Sequence, residues 1–157
     1  MGPFPPSNIY SHILVAVDGS KEAEWAFRKS IEMAKKHKAS LNLIHVVDTR
    51  SFTAMTKRVP SEDDPIFEEG RVLVEKYKNE AIGAGLSDVN AFVASGSPKK
   101  AISRDFAKQV DADLIICGAQ GLNAFEKYLM GSVSQHIVSN SSCDVLVVRR
   151  ELPTNQN

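Results

Sequence analysis

The chain has 157 residues, 43% hydrophobic and 24% charged, and its 19 Lys plus Arg balance its 19 Asp plus Glu. That suits one globular domain burying roughly 70% of its unfolded surface, with no second domain required. The neutral balance offers no basic stripe for nucleic acid, and apolar runs such as ILVAV at 13–17 fall far short of the roughly 20 residues of a membrane span, so neither is expected as a partner.

The opening MGPFPPSNIYSH carries prolines where a signal peptide has its apolar core. Residues 1–9 are therefore read as a flexible arm, 10–150 as the domain and 151–157 as a tail, and the chain is expected to be cytoplasmic. HILVAVD (12–18) and LNLIHVV (41–47) are rich in β-branched residues and apolar almost throughout, the pattern of strands covered on both faces of a parallel sheet. Between them Ser20 is a candidate N-cap, Glu22 and Glu24 suit a helix start, and Ala23, Ala26, Phe27, Ser30 and Ala34 share one helical face.

TRSFTAMTKRVPSED, after Asp48, is long and polar for a connection, so it is expected to be a mobile or functional loop carrying Arg50, Lys57 and Arg58. Asp64 then caps, and Pro65 opens, a second helix with Phe67, Gly70, Val74, Tyr77 and Ala81 inward and Gly83 or Gly85 at its end. NAFVAS (90–95) is a third strand, Gly96-Ser97-Pro98 a turn and cap, and Ala101, Ile102, Phe106 and Val110 the core face of a third helix. ADLIICG (112–118) is a fourth strand, a helix runs from near Gly131 through Ser139, and DVLVVRR (144–150) is a fifth strand. Strands alternating with helices predict an open, doubly wound α/β sheet whose ligand crevice lies outside the carboxyl ends of the strands.

Cys117 and Cys143 lack CxxC partners, and His12, His37, His45 and His136 form no recognisable ligand set, so a metal would arrive with a ligand. His45 and Cys117 read as core residues. Gly118-x2-Gly121-x9-Gly131-Ser132 has a strand before it and a helix after it. In that setting glycines let backbone N–H groups approach phosphate oxygens, the helix start adds a favourable dipole and Ser132 adds a donor. The residues between, LNAFEKYLM, read as an apolar flap that brings Gly131 to face Gly121.

These motifs resemble the universal stress protein family from Tyr10 to Arg150, on ILVAVDGS, HVVD, GSP and the full glycine pattern. The resemblance is to its UspA-like, ATP-binding branch. It implies a Rossmann-like, five-stranded parallel sheet of order 3-2-1-4-5 with helices on both faces. It also implies ATP, with Mg²⁺ bridging the phosphates. Asp18 would then meet the ribose or adenine edge, and Ala16 and Val46 would line the adenine. Gly118, Gly121, Gly131 and Ser132 would hold phosphates with Ser134 as an addition, and Val17 and Val133 complete the site. Gln120 is neutral where some nucleotide binders carry histidine or arginine.

With no Walker lysine, catalytic-loop acid or arginine finger in the sequence, the leading expectation is a nucleotide-dependent stress-response module with slow or no hydrolysis. The rival readings are a nucleotide-hydrolysing or adenylating enzyme on a related fold, and a dimeric interaction protein that binds no nucleotide. A homodimer is expected through residues 144–150, because VLVV would otherwise leave an apolar strand at a sheet edge.

Overall fold

The computed structural model describes residues 10–119 and 130–149. Strands β1 (His12–Ala16), β2 (Ser40–Asp48), β3 (Val89–Gly96), β4 (Leu114–Gly118) and β5 (Asp144–Val148) form one sheet in the order β3-β2-β1-β4-β5, every pair parallel. Order and direction are those expected. The helices are α1 (Lys21–His37), α2 (Thr49–Thr56), α3 (Pro65–Gly83), α4 (98–109, with a π-helical middle at Ala101–Phe106) and α5 (Ser132–Asn140).

Because side chains alternate along each strand, the sheet builds two cores. On one face Ile13, Val15 and Val17 pack with Leu41, Leu43, Leu114 and Ile116 beneath Ala26, Phe27 and Ala34 of α1 and Val74, Tyr77 and Ala81 of α3. On the other, Leu14, Ile44, Ile115 and Cys117 pack against Ile102 and Ala107 of α4 and Ile137 of α5. Leu14, Ile44 and Ile115 are fully buried, each contributing about 1.5–3 kcal/mol of apolar transfer energy. This two-sided burial explains why the strands are apolar throughout.

Local signals also hold. Ser20 caps α1, its Oγ accepting from Ala23 N at 3.1 Å, with Glu22 and Glu24 in the first turn. Pro65 opens α3, but the Asp64 side chain makes no cap bond, because it is turned to other partners.

The segment after Asp48 departs from the expected loop. Asp48 caps α2 by accepting from Arg50 N at 3.1 Å, and Lys57 ends the helix in the left-handed region at φ 59°. Beyond it Arg58 grips Asp64 through its two terminal guanidinium nitrogens, Nη1 and Nη2, at 3.2 and 3.0 Å, and Ser61 N donates to the same carboxylate at 2.6 Å. The guanidinium, followed by the Ser61 N–H, holds the Asp64 carboxyl below its ordinary pKa. A polar run that lacks core periodicity is thus ordered by one cap and one clasp.

Candidate nucleotide site at the carboxyl edge

The carboxyl ends of the central strands carry the sequence-flagged residues. Asp18 is exposed, two residues beyond β1, and its Oδ1 accepts from Ser20 N at 2.8 Å. Gly19 supplies the positive φ of 83° that this turn requires. Asp18 thus serves the turn with one oxygen, and its other oxygen has no hydrogen-bond partner among the described residues.

Val17 is buried, its N–H donating to Ile44 O at 2.9 Å and its carbonyl accepting from His45 Nδ1 at 2.8 Å. His45 is the satisfied histidine its apolar strand suggested. Its ring lies against Gly70 of α3, where an added Cβ would come 2.9 Å from His45 Cδ2. That steric role for Gly70 could not be read from helix periodicity alone.

Ala16, Val46 and Val133 converge. All are partly buried against the same core, the one beneath α4 and α5, and Ala94 at the end of β3 joins them. They form an apolar floor at the carboxyl edge, of a kind that suits a flat heterocycle.

Gly131 is the N-cap of α5, at φ −64° and ψ 160°, with no side-chain cap bond. Its N–H donates to Ala119 O at 2.7 Å and its carbonyl accepts from Gln135 N at 3.0 Å. Gly131 is therefore tied to the end of β4, while the N–H groups of Ser132, Val133 and Ser134 have no acceptor within the helix. Ser132 is exposed. Ser134 is buried, and its hydroxyl donates to Gly118 O at 2.5 Å, so that side chain fastens α5 to β4.

Gly118 turns its missing side chain away from this floor. A Cβ there would lie 2.8 Å from Glu22 O, so the glycine permits the start of α1 to cross β4 closely. Gly121 and residues 122–129 of the expected flap lie outside the described residues, as do the arm 1–9, Arg150 and the tail.

The cations of the 48–64 segment are largely committed. Arg50 pairs with Asp48 at 3.0 Å and Arg58 with Asp64 at 3.0 Å. Among the described residues no group of three His, Cys, Asp or Glu side chains gathers as a metal site, and no helix is long and apolar enough to cross a membrane. A concavity on the outer face of α3, lined by Val72, Glu75, Lys76, Asn79 and Glu80, lies on the opposite side of the sheet from the apolar floor.

The model of the universal stress protein family matches residues 9–149. The chain belongs to that family. It is 44% identical over 142 residues to the putative universal stress protein SSP1056 of Staphylococcus saprophyticus, covering 90% of this chain and 85% of that one. Among solved structures it superposes on the hypothetical protein MJ0577 with a TM-score of 0.80 and 27% identity, over 92% of this chain and 99% of that one. The universal stress protein of Archaeoglobus fulgidus, solved in complex with dAMP, shares the fold at a TM-score of 0.65 and 23% identity, over 90% of this chain and 99% of that one.

Proposed function

We propose that this universal stress protein is a cytoplasmic, homodimeric ATP-binding module that works by changing partners or buffering nucleotide, with slow or no hydrolysis. The observation that carries the reading is the convergence of Ala16, Val46 and Val133 on one apolar floor beside the uncapped start of α5. The floor suits an adenine face, and the free Asp18 oxygen suits a ribose hydroxyl or an adenine amine. The N–H groups of Ser132 to Ser134, which have no acceptor within the helix and stand at the positive end of α5, suit a phosphate.

The dAMP complex of the Archaeoglobus fulgidus protein supports an adenine nucleotide as the ligand class, since the same fold holds one there. The step from adenine nucleotide to ATP rests on the glycine pattern. No group of three or more His, Cys, Asp or Glu gathers among the described residues, so Mg²⁺ would enter with the phosphates and would supply positive charge that offsets theirs.

The deciding experiment is mass spectrometry of small molecules released from the purified, denatured protein, paired with calorimetric titration of ATP, ADP and AMP. A stoichiometric adenine nucleotide, or a saturable ATP isotherm, is expected. Neither appearing would return the protein to the interaction-only reading.

A further inference from the structure

Resting on the nucleotide reading above, we propose that Lys99, at the start of α4, is the cation that sets the preference of this site for longer phosphate chains. The Gly96-Ser97-Pro98 turn brings the first turn of α4 to the carboxyl edge of the sheet, where it packs beside α5 on the face that carries the apolar floor. That first turn holds Lys99 and Lys100 and no acid. Cations are disfavoured at the positive end of a helix, as the acids opening α1 and α3 illustrate, so two lysines here oppose the dipole.

The other charges do not relieve that opposition. None of the ion pairs among the described residues uses Lys99 or Lys100, whereas Arg50 and Arg58 are neutralised by Asp48 and Asp64. Lys99 is the half-buried member of the pair, and Lys100 is exposed. It stands one turn before buried Ser103, whose Oγ donates to Lys99 O at 2.7 Å, so its backbone is fixed on the inner stripe of α4. A half-buried lysine on that stripe, without an ion pair among the described residues and in a helix turn that packs beside α5, has a physical use if an anion lies between the two helix starts. A monophosphate does not extend past the α5 N-terminus, whose dipole supplies roughly half a positive charge. A di- or triphosphate does, and its outer phosphates are the partner that Lys99 lacks.

The test is calorimetric titration of ATP, ADP and AMP, at one fixed salt and Mg²⁺ concentration, against wild type, Lys99→Ala, Lys99→Arg and the distant control Lys108→Ala. Lys99→Ala is expected to weaken ATP by about tenfold or more and AMP by less than about twofold, with Lys99→Arg restoring most of the loss. Lys108→Ala should match wild type. The quantity read is the ratio of AMP to ATP dissociation constants, which a general loosening of α4 would leave unchanged. An unchanged ratio in Lys99→Ala, with wild type binding ATP, overturns the role of Lys99 and leaves the nucleotide reading standing. Wild type that binds no adenine nucleotide overturns that reading and this one together.

Discussion

Gly118 and Glu22 approach so closely that a Cβ on Gly118 would sit 2.8 Å from the Glu22 carbonyl oxygen and 2.9 Å from its carbonyl carbon. The obstacle is the backbone of α1, which cannot swing aside as a side chain tip could. Gly118→Ala should therefore destabilise the fold by about 1–3 kcal/mol through a displaced α1. Urea denaturation measures this, and because the loss is of stability it should appear without nucleotide present. A midpoint unchanged from wild type would mean that α1 retreats without cost.

Asp18 offers a separation of its two roles. Asp18→Asn keeps an Oδ1 to accept from Ser20 N, whereas Asp18→Ala removes it and should cost about 0.5–1.5 kcal/mol of stability. If the second oxygen binds ribose or adenine as a charged acceptor, both variants weaken adenosine nucleotides, and Asn does so with stability retained. Equal ATP affinity in wild type and Asp18→Asn would assign the residue to the turn alone.

At the start of α5, Gly131 has φ −64°, a conformation open to any residue, so Gly131→Val adds bulk without backbone strain. We expect it to stay folded by circular dichroism and to lose ATP binding, because the Cβ and its methyls crowd the anion position. Ser132→Ala should be milder, about threefold to tenfold, since the backbone N–H groups and the dipole remain. A folded Gly131→Val that binds ATP like wild type would place the phosphates elsewhere.

The two thiols should report burial. Cys117 lies in the core, where burial pushes its pKa up to about 11, while Cys143 is half-buried and raised by the same cause. Burial therefore disfavours the thiolate of Cys117, the form that reacts. Titration with a disulfide reagent should label Cys143 slowly and Cys117 only on addition of denaturant. Prompt labelling of both in native protein would show that β4 opens readily.

β5 pairs with β4 along one edge, and Val148 O accepts from Ala119 N at 2.9 Å. Strand alternation then points the polar backbone of Val147 outward, away from β4. Val147→Pro should remove an edge donor, spare the β4 ladder and convert a dimer to a monomer in sedimentation at micromolar concentration. A wild type that sediments as a monomer would end the proposal of pairing through this strand.

What the sequence by itself determined was what depends on pattern and on near neighbours. Strands covered on both faces must be apolar at every position, so Ile13 to Val17 and Leu41 to Val47 announced a parallel sheet. The Ser20 cap and Pro65 act over a single turn and were legible for the same reason. The glycine spacing and the acid after β1 likewise marked the carboxyl edge as the place to look.

Tertiary structure decided what depends on approach between distant segments. Gly118 and Gly131 look alike in sequence, yet one makes room for Glu22 and the other opens α5. Ser132 and Ser134 differ by which side of a helix start they take, and only the second is spent on Gly118 O. The 48–64 segment folds through Arg58 and Asp64, a charge pair with no periodic signature. Lys99 gains interest only when α4 is seen packed beside α5. Hydrophobic period and capping rules describe one element against an unspecified core. Which residue meets which across the sheet is set by register, crossing distance and the charges left unpaired once the elements are packed.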